Sequence, residues 1–235
     1  MDLLGKTVLI AGASSSIAKA LLRDLKARGA LPITLGRSST EEYEHCQVDL
    51  AKSKSVKKVQ AWLEKNDFHV DLVIHCAGIL HEGDSFPEKQ ISEIDQAWFF
   101  KSLEVNVLTH IHLAQALDTS VKTKRLIHWI SLSAMVGSLS DNHLGGWHSY
   151  RMSKAALNMF IKGLSIEWSR HNKQNCIISL HPGTTESPMS KPFKVAKDKL
   201  YSAELTAERI SAIISKLDMN ENGAFLNWDG TRIPY

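Results

Sequence analysis

The sequence predicts an α/β fold, a doubly wound parallel sheet of about seven strands with helices on both faces, three layers in all. Two observations carry that prediction. Strand-length apolar runs alternate with amphipathic stretches along nearly the whole chain, and strands buried on both faces mark a parallel sheet covered by its crossover helices. The first apolar run turns through small residues straight into a helix, which is how an open α/β sheet presents a ligand site at the carboxyl ends of its strands.

Strands are expected near 6–11, 31–36, 44–48, 70–75, 125–131, 175–181 and 223–227, and helices near 16–29, 52–66, 88–102, 104–121, 150–170 and 204–217. Lys6 to Ala11 (KTVLIA) is a continuous apolar run of strand length. Gly12-Ala13-Ser14-Ser15-Ser16-Ile17-Ala18 follows, and Ile17, Leu21, Leu22 and Leu25 form the stripe of the first helix. Such a turn aims free backbone N–H groups and the positive end of a helix dipole at one point, an anion site suited to a pyrophosphate. The second strand ends in Leu35-Gly36-Arg37, the third reaches Asp49, the fourth closes at His75-Cys76-Ala77-Gly78 and the fifth runs into Ile130-Ser131-Leu132-Ser133. In the helix over 150–170, Leu157, Phe160, Ile161, Leu164 and Trp168 recur at 3.6-residue spacing. Residues 184–203, rich in Pro, Ser and Lys, read as a mobile loop that would form a short substrate lid. Neither repeats nor low-complexity linkers interrupt the 235 residues, so one domain over 1–235 is expected.

Composition removes several function classes. A net charge of +3 with scattered lysines gives no argument for nucleic acid. No apolar run approaches the ~18 residues of a membrane span, and Asp2 beside Leu3-Leu4 does not make a signal peptide. Cys46, Cys76 and Cys176 show no CxxC spacing, which argues against disulfides and zinc and fits the reducing cytoplasm. The eleven histidines contain neither His-x-x-x-His nor HExxH, so no metal site is expected.

Tyr150 and Lys154 are the chemically loaded pair. Four residues apart on a helix, their side chains stand one above the other. A free phenol titrates near ~10, and a cation one turn away favours the phenolate, which brings proton transfer within reach.

Together these residues resemble a family. The run from Ala11 to Ala18 is similar to the TGxxxGxG turn of the short-chain dehydrogenase/reductases, and His75-Cys76-Ala77-Gly78 resembles the Asn-Asn-Ala-Gly that closes their fourth strand. Asn106 in Val105-Asn106-Val107 matches the family's helix asparagine, and Pro182-Gly183-Thr184-Thr185-Glu186-Ser187 is similar to its Pro-Gly-x-Val-x-Thr. The resemblance implies a Rossmann-like NAD(P)-binding domain. It implies cofactor contacts at Gly12, Ser14, Ser15, Ser16, Ile17, Arg37, Asp49, Leu50, Cys76, Ala77, Gly78, Asn106, Tyr150, Lys154, Pro182, Gly183, Thr185 and Ser187, with Asn106, Ser133, Tyr150 and Lys154 as the catalytic set.

An acidic residue at the end of the second strand would accept from the ribose hydroxyls of NAD, whereas a 2′-phosphate needs positive charge there. Arg37 supplies that charge, and no Asp or Glu falls between Gly29 and Thr40. NADP(H) is therefore the preferred cofactor, with NAD(H) the alternative. Ser16 and Ala18 replace two glycines of the family turn and narrow the approach of backbone to pyrophosphate. Aligned on Gly137, the family's carbonyl-binding serine falls on Ala134, so the hydroxyl must come from Ser133 or Ser138, and Ser133 is preferred. The extra length through Asp141 to Gly146 bears on that choice.

SAMVGS followed by SDNHLGGWHSYRMSKAALN is most similar to the C-factor-like branch, a group associated with bacterial cell-to-cell signalling and with carbonyl reduction. The resemblance implies NADP(H)-dependent reduction of a ketone or aldehyde, a small-molecule carbonyl substrate, with Tyr150 as general acid/base. Its rival is a weakly active or inactive NADP-binding signalling protein. A second apolar stripe on the Tyr150 helix (Met152, Ala156, Met159, Gly163, Ile166) predicts a homodimer or homotetramer, unless the helix around Val105 to Leu117 covers it.

Overall fold

The structure is a computed structural model describing residues 1–38 and 41–235. In chain order it runs β1 (Thr7–Ala11), α1 (Ser16–Ala27), β2 (Leu31–Gly36), β3 (Glu44–Gln47), α2 (Ser55–Lys65), β4 (Leu72–His75), α3 (Gln96–Leu103), α4 (Thr109–Lys122), β5 (His128–Leu132), α5 (His148–Ser169), β6 (Ile177–His181), β7 (Thr184–Thr185), β8 (Leu200–Tyr201), α6 (Ala203–Lys216) and β9 (Phe225–Asn227). Among the described residues, seven strands form one parallel sheet in the order β3-β2-β1-β4-β5-β6-β9. The order reverses between β1 and β4, the point where an open α/β sheet leaves a crevice at its carboxyl edge.

Side chains alternate across each strand, so one sheet feeds two cores. Leu9, Leu35, Val73, Trp129 and Ile177 pack against Val59 of α2, Leu113 and Leu117 of α4, and Leu157 and Trp168 of α5. Val8, Ile10, Ile74, Ile130 and Leu180 face Leu21 and Leu25 of α1 and Ile210 and Ile214 of α6. Full burial of each such side chain stabilises by roughly 1.5–3 kcal/mol, and the edge-on Trp129–Trp168 pair, centroids 5.8 Å apart, fixes α5 over β5.

The helix expected over 88–102 starts only at Gln96, where the Asp95 side chain accepts from Trp98 N. Residues 88–95 do something else. The Glu88 carboxylate, buried, accepts from the backbone N–H and the hydroxyl of Ser149, while its carbonyl accepts from Trp147 N. That segment thus ties down the start of α5, 61 residues away. Between α3 and α4, Glu104–Leu108 widens into a π-helical turn, a feature that often sits at a functional site.

Candidate active site

A cleft of 870 Å³ opens at the carboxyl edge of the sheet, over the switch between β1 and β4. Its floor is the turn from Gly12 to Ile17. Gly12 has φ +78°, and a Cβ there would lie 2.5 Å from Ala77 N, so the turns after β1 and β4 touch and only glycine permits the contact. Ser15 caps α1, its hydroxyl accepting from Ala18 N at 3.1 Å. Ser14, Ser15, Ser16 and Ile17 line the cleft at this helix N-terminus. Ala18, by contrast, is buried in the α1–α6 core, so its methyl does not narrow the opening.

Cys76, Ala77 and Gly78 form the opposite lip. Burial pushes the Cys76 thiol up to about 12, so it stays protonated and unreactive at neutral pH. Arg37, Asp49 and Leu50 stand at one end of the cleft. Arg37 is exposed and, among the described residues, makes no ion pair. Asp49 accepts from Ala51 N at 3.1 Å.

Tyr150 and Lys154 stand at the other end, buried on the cleft side of α5. The ammonium lies 5.7 Å from the phenol ring centroid and donates to Leu132 O at 2.9 Å. Burial raises the Tyr150 value above that of a free phenol and lowers that of Lys154 to about 8. Burial, and not the Lys154 cation, sets the direction of the Tyr150 shift. Both groups are withdrawn from water, and desolvation outweighs the attraction of the cation.

Asn106 does not reach the cleft. It is fully buried in the π-turn, its Oδ1 accepting from Ile79 N at 2.7 Å while Nδ2 donates to Ile79 O and Ser153 Oγ, both at 2.9 Å. Its amide is thereby used up in binding the β4 turn to α5. A Cβ at Gly78 would meet Asn106 Oδ1 at 3.3 Å and Lys154 Nζ at 3.5 Å, so this junction is close-packed.

The two candidate serines part company. Ser133 lines the cleft but donates its proton to Asn158 Oδ1 at 2.7 Å, two turns beyond Tyr150 on α5. Ser138 is buried away from the cleft lining, with its hydroxyl on Pro234 O. Ala134 contributes to the cleft wall. The stretch after Ser138 is tied to the chain end instead of to the site, Ser140 bonding Tyr235 O through both N and Oγ.

Pro182, Gly183, Thr185 and Ser187 enter the cleft from the segment after β6. The lid expected over 184–203 is ordered around the short parallel pair β7–β8, and Thr185 Oγ1 bonds Thr206 Oγ1 of α6 at 2.9 Å. The lining side chains that sequence reasoning missed include Trp147, His181 and Phe193. Trp147 had a usable signal, a large aromatic directly ahead of the Tyr150 helix. It takes φ +50°, an unusual conformation for a bulky residue, and its ring stands 6.3 Å from that of Tyr150. Among the described residues no group of three His, Cys, Asp or Glu is placed to hold a metal, and no helix is long and apolar enough to cross a membrane.

The profile of the short chain dehydrogenase family matches residues 6–198. The chain is 27% identical over 231 residues to the 1-hydroxy-2-glutathionyl-2-methyl-3-butene dehydrogenase of Rhodococcus sp. (strain AD45), covering 96% of this chain and 97% of that protein. It is 26% identical over 166 residues to the C-signal protein of Myxococcus xanthus, covering 71% of this chain and 93% of the other. Among solved structures, the fold matches carbonyl reductase Sniffer of D. melanogaster with a TM-score of 0.85 at 23% identity, covering 98% of this chain and 100% of that one. NADPH-bound carbonyl reductase from chicken fatty liver matches equally well, with a TM-score of 0.85 at 21% identity over 99% of this chain and 100% of that chain. With the seven-stranded parallel sheet in this order and the match over most of its length, the chain belongs to the short-chain dehydrogenase family of oxidoreductases.

Proposed function

We propose that the protein reduces a ketone or aldehyde with NADP(H), with Tyr150 as the general acid. The observation that carries this reading is the buried Tyr150–Lys154 pair at one end of a cleft whose other end is a glycine turn and a helix N-terminus. The residues present fit a dinucleotide. The Gly12–Ala77 contact leaves no room for a side chain on the cleft floor, and the capped start of α1 suits a pyrophosphate. Gly12, Ser14, Ser15, Ser16, Ile17, Asp49, Leu50, Cys76, Ala77, Gly78, Pro182, Gly183, Thr185 and Ser187 would hold it. When bound, it supplies hydride. Tyr150, protonated at neutral pH because burial raises its value, gives its proton to the carbonyl oxygen. The phenolate left behind faces the Lys154 ammonium, which offsets the new charge. Asn106 acts as a positioning residue through Ser153 and the β4 turn. The relatives support the reading in the chemistry their names state, a dehydrogenase and two carbonyl reductases.

NADP(H) is preferred because Arg37 is exposed and, among the described residues, makes no ion pair, at the cleft end opposite Tyr150. Charge-assisted contact with a 2′-phosphate would shift preference by roughly 10–100-fold. Arg37→Asp is expected to reverse the ratio of kcat/KM for NADPH and NADH, as read by initial rates with each cofactor. An unchanged ratio would leave Arg37 as solvated surface.

A second reading, a catalytically weak NADP-binding signalling protein, is favoured by one observation, the engagement of Ser133 with Asn158 where Ala134 meets the cleft. We place Ser133 as the second donor, available once it gives up Asn158. A donor that must first break a bond is not preorganised, so Ser133→Ala is expected to cost about ten-fold in kcat, less than loss of a fixed oxyanion donor. Ser138→Ala should leave kcat unchanged and lower stability through the lost Pro234 contact. NADPH binding with no turnover on a panel of aldehydes and diketones would favour the signalling reading.

The same proposal includes self-association. Met152, Met159 and Ile166 are exposed along α5, Met159 at 72%, and nothing lies within 4 Å of a Cβ built on Gly163. Ala156 packs on the core, while Met152, Met159 and Ile166 stay exposed, and a second copy of α5 would cover them. Light scattering is expected to report a dimer or tetramer at micromolar concentration, and Gly163→Arg a smaller mass. A monomeric parent would overturn it.

A further inference from the structure

We propose that the carbonyl compound taken by this cleft is neutral and apolar and carries an aromatic or similarly flat ring beside its carbonyl, seated against Trp147 and the lid residue Phe193. The inference rests on the reductase reading above and narrows it to a substrate class. Four rings run outward from Tyr150 as a ladder. Trp147 stands edge-on to Tyr150 at 6.3 Å and contacts Phe193 at 5.2 Å. Phe193 lies 5.8 Å from His81, which stacks on Phe86 at 5.3 Å with planes 6° apart. His81 also fastens the lid, its Nε2–H donating to the carbonyls of Pro188 and Met189 at 3.3 and 3.2 Å. Two separate segments, residues 81–86 and Trp147 ahead of α5, thus hold Phe193 over the Tyr150 end of the cleft. Ring faces and edges of this kind favour another ring, and Met135 and Met189 on the same wall adapt to its outline.

Charge is distributed the other way. Arg37, Asp49, Lys52 and Glu104 belong to the end of the cleft beside β2 and β3, where Lys52 and Glu104 pair at 2.6 Å. Lys19 and Lys101 also line the cleft, and beside Tyr150, among the described lining residues, the cation is Lys154, buried and donating to Leu132 O. His181 lines the cleft with a value pushed down to about 4 by burial and is neutral there. Two of the lid hydroxyls are already engaged, Ser190 Oγ donating to Thr185 O at 2.7 Å and Thr185 Oγ1 pairing with Thr206. A carboxylate or phosphate carried on the substrate would leave water and find no partner, a penalty that a neutral ring does not meet.

The test compares three compounds, phenylpropanedione (neutral, aromatic), butanedione (neutral, no ring) and phenylglyoxylate (aromatic, charged), by NADPH oxidation. Phenylpropanedione is expected to exceed phenylglyoxylate in kcat/KM by at least ~100-fold and butanedione by about ten-fold. Phe193→Ala and Trp147→Ala should each collapse the phenylpropanedione-to-butanedione ratio toward one, with NADPH affinity read by fluorescence in the same samples to show that the cofactor side is intact. Calorimetric titration of the three compounds onto protein saturated with NADP+, where no turnover occurs, reads the class separately. Failure of every compound to turn over, with selective binding of phenylpropanedione that Phe193→Ala abolishes, would reject the reductase reading and keep the ring site. Equal affinity and rate for phenylglyoxylate, or a compound ratio that Phe193→Ala leaves unchanged, would overturn the substrate class whatever the turnover.

Discussion

Tyr150→Phe is expected to lower the rate of carbonyl reduction by ~100 to 10,000-fold while NADPH affinity stays within a few-fold of the parent. The exchange removes one oxygen from a ring that is buried on the cleft side of α5 and already packed by Trp147, so shape and stability change little. What disappears is the proton donor, and general acid catalysis is worth that range. The pH profile supplies a second reading of the same pair. Burial lowers Lys154 to about 8, so its ammonium is present below that pH and lost above it. The phenolate formed at Tyr150 then loses its counter-charge, and kcat for reduction should be flat from neutrality up to that region and decline beyond it. Stopped-flow single turnovers with the parent and the variant, across pH, measure both effects. A Tyr150→Phe enzyme within a few-fold of the parent would remove Tyr150 from the chemistry.

Much of this arrangement is legible in the chain because it is local. Apolar runs place β1, β2, β4, β5 and β6, and the spacing of Leu157, Ile161, Leu164 and Trp168 places α5 with the Tyr150–Lys154 pair on one side of it. What the sequence hides is set by contacts between distant segments. Glu88 lies in a stretch that looks helical, yet its carboxylate is claimed by Ser149, and the segment bends to reach it. Asn106 is recognisable by its neighbours, but the π-turn that drives its amide inward, onto Ile79 and Ser153, follows from packing between α3, α4 and α5. The partner of Ser133 is equally non-local, since strand alternation gives the direction of its side chain and says nothing of Asn158 waiting on α5. Phe193 is invisible for the same reason, a single ring in a polar loop whose neighbours come from residues 81, 86 and 147.

The protein should lose stability steeply in mild acid, and the cause sits directly beneath the site. His75 ends β4, and its ring stacks on that of His110 in α4, centroids 3.5 Å apart and planes within 19°. Both are fully buried. His110 Nδ1 pairs with Ser131 Oγ at 2.9 Å, the same hydroxyl accepts from Trp129 Nε1 at 2.7 Å, and among the described residues neither nitrogen of His75 makes a hydrogen bond of ordinary geometry, the backbone of Thr109 being its polar neighbour. Burial lowers His75 to about 3 and His110 well below its usual value, with Lys154 adding repulsion to each. In the unfolded chain both titrate near ~6.5. Above that pH both states are neutral and the stabilisation is complete. Below it the unfolded chain takes up protons that the fold refuses, and stability falls by about 1.4 kcal/mol per pH unit for each histidine until the folded values are reached. Two residues between pH 6.5 and 5 give a loss on the order of 4 kcal/mol, a large part of the ~5–15 kcal/mol that holds a domain together. Carboxylates such as Asp24, lowered below 3.8 by Arg28 and Ser211 despite its burial, stay ionised through this window and do not blur it. Urea denaturation at pH 7.5 and pH 5 measures the loss, to which His181, itself lowered to about 4 by burial, contributes as well, and His75→Asn should reduce it by the share of one histidine, because one titration is gone. Equal stability of the parent at the two pH values would mean that the pair accepts protons within the fold.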